Sequence, residues 1–171
     1  MYFEEACKIS SKFYFKESED LVEQSISLIP FKSKAYILRT KLAGNSWEFT
    51  KRCIDDCNKA IEMEPCSVIN YTEKIKYLKI AGKYDEYESA LLKILKFGKM
   101  TREMCDEAVN IFELDGYDDK ALRWLRIEMS IYKEDANLKN RERILLNKLN
   151  DKWKITFTKI QRNSRSEGIG M

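Results

Sequence analysis

Apolar residues recur along this chain at helical spacing, in stretches that short polar segments separate. The clearest pair of series is Tyr71, Ile75, Leu78 and then Tyr87, Leu91, Ile94. Spacings of three and four residues place each series on one face of an α-helix. Gly82-Lys83-Tyr84-Asp85 interrupts the pattern between the two series. The pattern therefore predicts two helices joined by a tight turn at Gly82.

This helix-turn-helix pattern recurs at a nearly constant interval. Pro30 and Pro65 are 35 residues apart, and Gly82 and Gly116 are 34 apart. A series that steps by 34, 35 and 34 residues is Tyr2, Tyr36, Tyr71, Cys105. The extra residue falls in the second unit, in a lengthened turn after Ala43. The periodicity predicts four helical hairpins, at about 1–32, 33–67, 68–101 and 102–133.

The repeats resemble those of the tetratricopeptide repeat (TPR) family, in which a hairpin of period 34 has a Gly turn and often ends in Pro. The fullest local matches are Ala35-Tyr36-Ile37-Leu38-Arg39-Thr40, Asp56-Cys57-Asn58-Lys59-Ala60-Ile61-Glu62-Met63-Glu64-Pro65, Gly82-Lys83-Tyr84-Asp85-Glu86-Tyr87 and Gly116-Tyr117-Asp118-Asp119-Lys120-Ala121. The resemblance implies an all-α fold, an α-α superhelix or helical-hairpin solenoid. It also implies an adaptor or scaffold for protein–protein interactions.

The end of such an array needs a cap with a polar outer face. Residues 134–150 are predicted to be this capping helix, with Asp135 as N-cap and with Leu138, Leu145 and Leu149 on its inner face. Residues 151–171 are predicted to be a basic C-terminal tail. Its segment 152–160 alternates apolar and polar residues, as a strand does, and we expect it to pack back on the helices and bury Trp153.

The composition supports helices and removes much catalytic chemistry. The chain of 171 residues has 6 Gly and 2 Pro, too few for a turn-rich β fold, and it has no His. Cys53 and Cys57 occupy the repeat positions of Tyr87 with Leu91 and of Ala121 with Leu125, so we expect core packing and no metal site. The pairs Asp55-Asp56 and Asp118-Asp119 are expected to be solvated or to lie in turns. We expect no enzymatic activity and no cofactor.

Charge is balanced over most of the chain. The net charge is +3, with sums of −1 over residues 1–65, 0 over 66–133 and +4 over 134–171. The beginning of the sequence does not resemble a signal peptide, and no apolar stretch is long enough to span a membrane. With 5 dispersed cysteines, this predicts a cytoplasmic or nuclear protein.

The resemblance implies that the first helix of each unit lines a concave groove. The predicted groove contacts are Lys34, Ile37, Leu38, Lys41, Ile69, Thr72, Lys76 and Lys79. They are basic and apolar, so the predicted ligand is a peptide or helix with acidic residues around an apolar anchor. The clamp with which family members grip acidic heat-shock chaperone tails is not matched in this sequence.

Two alternatives come from other classes of protein. Basic and aromatic residues in the tail suit nucleic acid or another acidic surface. The candidate tail contacts are Lys152, Trp153, Lys154, Phe157, Lys159 and Arg162. The other alternative is a helical repeat subunit like the α-subunit of protein prenyltransferases. The repeats of those subunits carry a Trp that is missing after Tyr36 and Tyr71.

Overall fold

The computed structural model of the protein describes residues 2–5, 15–44, 47–132 and 136–167. In these ranges residues 2–5 are helical, a 3-10 turn spans Trp47–Phe49, and no strand occurs. The longer helices are α1 (Phe15–Leu28), α2 (Ser33–Ala43), α3 (Thr50–Met63), α4 (Val68–Ile80), α5 (Tyr84–Lys96), α6 (Arg102–Leu114), α7 (Asp118–Tyr132) and α8 (Ala136–Glu167). The prediction of an all-α fold is confirmed.

The helices belong to two compact units, Met1–Met100 and Thr101–Met171. In the first unit, α1 to α5 pack in chain order, each helix against the next, and α2 also contacts α4. In the second unit, α6 and α7 form the most extensive contact, and α8 packs against α7. Within each unit, short connections make consecutive helices antiparallel hairpins, which bury one face of each helix against its neighbour.

Glycine turns explain the constant interval of the repeats. Gly82 and Gly116 have φ values of +64° and +78°, in the left-handed region that favours glycine. The next amide after each glycine reaches back to the last turn of the helix. Lys83 N donates to the Leu78 carbonyl at 3.0 Å, and Tyr117 N donates to the Phe112 carbonyl at 2.8 Å. This hydrogen bond belongs to a Schellman motif, so the third and fourth repeats end their first helix in the same way.

Repeat positions form the cores of the two units. Fully buried members include Cys53, Cys57, Leu78, Leu91, Phe112, Ala121 and Leu125. Burial raises the pKa of Cys57 to about 12, so its thiol is neutral. The prediction that Cys53 and Cys57 are core residues is confirmed.

The expectation that Asp56 is solvated is wrong, because it is 2% exposed and paired. Arg39 of α2 donates to its two carboxylate oxygens, from Nε at 2.8 Å and from Nη2 at 2.6 Å. The Nη1 atom of Arg39 also donates to Glu23 of α1, at 2.7 and 2.9 Å. These hydrogen bonds, first of all those to Asp56, raise the pKa of Arg39. One arginine therefore links α1, α2 and α3.

Asp118 is also buried, whereas Asp55 and Asp119 are exposed. The Asp118 carboxylate lies at the start of α7 and pairs with Lys152 of α8. An expectation of solvated carboxylates is therefore wrong for one member of each adjacent pair, because neighbouring helix positions face different directions.

The C-terminal prediction needs the largest correction. Helix α8 continues past residue 150 to Glu167, so the segment 152–160 is helical and not strand-like. Trp153 is 73% exposed, and the prediction of its burial is wrong. The sequence 136–167 contains no Gly or Pro, and the next glycine after this stretch is Gly168. An isolated strand leaves its backbone N–H and C=O groups without hydrogen-bond partners within the protein, whereas a helix pairs these groups within itself. The proposed N-cap, Asp135, lies outside the described residues.

Candidate binding pocket

An apolar pocket opens in the first unit between α2 and the start of α4. Its volume is about 260 Å³. Ile37 is only 5% exposed and forms the floor, whereas Ile69 is 64% exposed at the mouth. The lining residues, which define this α2–α4 pocket, are Phe3, Lys34, Ile37, Leu38, Lys41, Glu64, Ser67, Ile69 and Asn70. The pocket thus combines an apolar interior with polar groups around the opening.

Two lysines give the mouth of the α2–α4 pocket a positive character. Lys34 and Lys41 are seven residues apart on α2, which is about two helical turns, so they share one side of the helix. Both are exposed. In the part of the chain that the structure describes, neither forms an ion pair. Among the described lining residues Glu64 alone is acidic, and Ser33 Oγ donates to its Oε1 at 2.5 Å.

Hydrogen bonds hold the walls of the pocket in place. The buried Asn70 Nδ2 donates to the Ala60 carbonyl at 2.9 Å, which ties the start of α4 to the end of α3. Tyr36 Oη donates to the Pro30 carbonyl at 3.0 Å and fixes the entry to α2. The ammonium group of Lys32 lies 4.0 Å from the centroid of the Phe3 ring. The pocket is therefore built from ordered contacts before any ligand arrives.

The structure brings together five of the eight predicted groove residues, namely Lys34, Ile37, Leu38, Lys41 and Ile69. The other three do not line this pocket. Lys76 is paired with the buried Glu73 at 2.8 Å, so its charge is already compensated. Thr72 and Lys79 lie further along α4.

The sequence prediction missed Glu64, Ser67 and Asn70, because it considered the first helix of each unit alone. These residues stand in the connection between the second and third repeats and in the first turn of α4. A signal for them was present in the sequence, since Pro65 marks the unit boundary that they surround.

A second pocket of about 500 Å³ lies near Trp47, also in the first unit. Its charged lining residues are of both signs, with Glu48 and Asp55 opposed by Lys51 and Lys83. Lys83 is also paired with Glu86 at 2.8 Å. This mixture selects no ligand charge, so the α2–α4 pocket is the stronger candidate.

The predicted tail contacts lie on α8 in the second unit. Lys152 Nζ donates to the Gly116 carbonyl at 3.0 Å and pairs with Asp118. Trp153 is exposed, and Lys154 lies 3.6 Å from Asp151. The side chains of Phe157, Lys159 and Arg162 lie outside the described set.

Two further kinds of feature matter in the described ranges, a cluster of metal ligands and a membrane-spanning helix. Within them, no group of three or more Cys, Asp or Glu side chains is arranged to hold a metal ion. None of the described helices is long and apolar enough to cross a bilayer.

Solved structures match this chain over most of its length. The MamA protein is 13% identical, with a TM-score of 0.70 over 99% of this chain and 94% of that chain. TTC0263, a thermophilic TPR protein from Thermus thermophilus, is 14% identical, with a TM-score of 0.54 over 82% of this chain and 77% of that chain. The fold is that of a TPR protein.

A further structural match supports the TPR fold assignment. MamA from residue 41 to its end, from Desulfovibrio magneticus RS-1, is 11% identical, with a TM-score of 0.67 over 96% of this chain and 94% of that chain. No protein-family model matches the chain, and no curated protein matches its sequence. The similarity therefore concerns the TPR fold, and the ligand has to be argued from this chain's own residues.

Proposed function

We propose that this chain is a non-enzymatic scaffold for protein interactions and that the α2–α4 pocket binds an acidic peptide segment with an apolar anchor. TPR arrays stack helical hairpins so that the first helices form an extended binding surface. The contact between α2 and α4 is consistent with such a surface in the first unit. The single observation that carries the proposal is an apolar pocket with two lysines at its mouth.

The apolar interior suits one branched or aromatic side chain of the ligand. Burial of such a side chain contributes about 1.5–3 kcal/mol, which is enough to make it the principal anchor of a short peptide. The exposed Ile69 and the half-buried Leu38 lose solvent exposure when the anchor side chain binds. A helical segment and an extended segment both present such an anchor.

The lysines select the residues that flank the anchor. Lys34 and Lys41 stand about 10 Å apart along α2, because each residue adds about 1.5 Å to a helix. Acidic residues on both sides of the anchor reach both ammonium groups, whereas basic residues are repelled. Exposed charges of this kind set specificity and association rate more than affinity.

A binding assay with matched peptides tests the proposal. The reference peptide carries a central Leu between acidic residues, one matched peptide replaces Leu by Ala, and another replaces the acidic residues by Lys. We expect fluorescence anisotropy to detect binding of the reference peptide alone. The double variant K34E/K41E and the single variant I69D should each weaken that binding by about tenfold or more.

Control variants make the same chemical changes elsewhere. Lys51 and Lys93 are exposed, and Leu114 is 87% exposed in the second unit, so K51E/K93E and L114D should leave peptide affinity unchanged. Equal binding of the three peptides, or undiminished affinity of K34E/K41E, contradicts this function. An equal loss of peptide binding in L114D and I69D also contradicts this function.

A further inference from the structure

The described side chains of helix α8 change from buried to exposed part-way along its length. Leu138 and Leu145 are 7% and 0% exposed, so the first half of α8 is packed. Helix α7 runs in the opposite direction and begins at Asp118, which pairs with Lys152 of α8. All residues from 151 to 156 are exposed. Lys152 therefore marks the point at which α8 passes the start of α7.

Beyond this point α8 continues for 15 residues, from 153 to 167. At about 1.5 Å per residue, this overhang is about 22 Å long. Trp153 is 73% exposed and Ile155 is 58% exposed, so large apolar side chains face solvent just after Lys152. Single exposed apolar side chains are ordinary on protein surfaces, so the pattern of the whole overhang decides whether Trp153 belongs to an interaction surface.

The sequence of the overhang is amphipathic in helical register. Positions 153, 157 and 160 carry Trp, Phe and Ile at spacings of four and three residues, so they share one face of α8. Lys154, Arg162 and Arg165 are spaced by eight and three residues and share another face. Lys159 adds a further positive charge, and no acidic residue occurs between 152 and 166. Ile155 lies away from the apolar face.

We propose that the overhang, residues 153–167, binds an anionic lipid surface and lies flat on it, with the face of positions 153, 157 and 160 toward the acyl chains. Helices that lie in a membrane interface have aromatic and aliphatic residues on one face and Lys and Arg on the other. The positive charge of the overhang complements acidic headgroups. Lys152, held by Asp118 and the Gly116 carbonyl, fixes the position of α8 at the start of the overhang.

The separation of aromatic and basic positions favours lipid over nucleic acid. A protein that binds single-stranded nucleic acid stacks bases on aromatic rings and contacts the adjoining phosphates with basic residues, so both kinds of residue face the ligand together. In the overhang, the aromatic positions 153 and 157 fall on a different face from Lys154 and Arg165. A lipid interface uses this arrangement, because the basic side chains remain at headgroup level while the aromatic face enters the apolar layer.

Vesicle sedimentation with the full chain tests the proposal. The two probes are vesicles of phosphatidylcholine alone and vesicles of phosphatidylcholine with phosphatidylserine. We expect binding to the anionic vesicles alone, weakened by added salt. The variants W153A and K154E/R162E should each reduce the binding by about tenfold. The conservative variant W153F should retain most of it.

Trp47 provides a matched control, because it is 70% exposed but belongs to the first unit. The variant W47A should bind anionic vesicles as well as the unaltered chain does. In a W47F background, Trp153 fluorescence should shift to the blue on addition of anionic vesicles, since Trp124 is fully buried and its signal stays constant. Circular dichroism of the variants confirms that they are folded.

Several results would overturn the proposal. Equal binding to the two kinds of vesicle, or no binding to either, contradicts an anionic lipid surface. Vesicle binding that W153A leaves intact contradicts the role of the apolar face. Retention on a single-stranded oligonucleotide at physiological salt, without vesicle binding, assigns the overhang to nucleic acid instead.

Discussion

At the scale of single residues, the ion pair between Arg39 and Asp56 is the clearest case of a role that depends on distant sequence. Asp55 and Asp56 are identical in type, yet Asp55 is exposed and Asp56 is 2% exposed. A carboxylate is buried only where a partner compensates the lost hydration. That partner is 17 residues away on another helix. Adjacent carboxylates in a sequence therefore carry no information about which one is buried.

We predict that Arg39→Leu lowers the free energy of unfolding by about 3–5 kcal/mol, because it leaves the Asp56 carboxylate buried without a partner. The double variant R39L/D56L should recover a large part of this loss. The measurement is chemical denaturation of the single and double variants.

A matched control for this prediction is the pair of Arg52 and Glu19, which are 3.1 Å apart with side chains 38% and 44% exposed. Arg52→Leu should cost at most about 1 kcal/mol, as exposed ion pairs do. A loss for Arg39→Leu as small as this would show that the Asp56 carboxylate is hydrated in solution.

At the scale of secondary structure elements, the fold could be predicted well and α8 only in part. The positions of turns and helices in the repeats followed from spacing, since Gly82 and Gly116 specify one turn geometry. The length of α8 did not follow. Alternation over Trp153, Ile155 and Phe157 is too short to distinguish a strand from a helix, and the absence of Gly and Pro before Gly168 was the better guide.

We predict that Leu145→Ala lowers the free energy of unfolding by about 2–5 kcal/mol, because Leu145 is fully buried in the second unit. Its neighbour Leu146 is 37% exposed, so Leu146→Ala makes the same deletion at the surface and should cost much less. Thermal unfolding followed by circular dichroism measures both effects. Equal losses for the two variants would contradict the packing face assigned to α8.

A second prediction for α8 concerns pH. Burial alone would raise the pKa of Glu113, but hydrogen bonds from Lys148 and Arg141 of α8 lower it below its ordinary value of 4.5. A lowered pKa in the folded state means that the stabilisation is fully present above about pH 4.5 and is lost as pH falls through the folded pKa. Acid should therefore weaken the attachment of α8 to α6.

We expect Glu113→Gln to lower stability at neutral pH by about 1–2 kcal/mol and to differ less from the unaltered chain as the pH falls below 4.5. The measurement is the melting temperature across this pH range. Asp115→Asn, in the exposed turn after α6, serves as control. A constant difference between Glu113→Gln and the unaltered chain at all pH values would contradict the assigned pKa.

At the scale of the whole molecule, the candidate pocket could be predicted in outline. The family resemblance directed attention to the first helices, and Lys34, Ile37, Leu38, Lys41 and Ile69 line one pocket. The pairing of Lys76 could have been predicted, because Glu73 stands three residues before it on α4, whereas Lys41 has no acidic residue three or four residues away. The net charge that a lysine presents to a ligand therefore depends on its neighbouring side chains as well as on the lysine itself.

The proposed pocket and the proposed overhang belong to different compact units, so their variants should act independently. We predict that a fluorescent acidic peptide sediments with anionic vesicles when the full chain is added. K34E/K41E should abolish recruitment of the peptide but leave the protein on the vesicles. W153A should leave peptide binding intact and release both the protein and the peptide from the vesicles. Competition between peptide and vesicles would contradict this independence.

The exposure of Cys66 makes the α2–α4 pocket accessible to selective labelling. Cys53, Cys57 and Cys105 are buried, and burial raises the pKa of Cys105 to about 11, so these thiols react slowly with alkylating reagents. Of the cysteines that the structure describes, Cys66 alone is exposed. It stands between Glu64 and Ser67, which line the pocket. With Cys7 replaced by Ser, a maleimide fluorophore on Cys66 would report occupation of the pocket in the folded chain, with no new cysteine introduced.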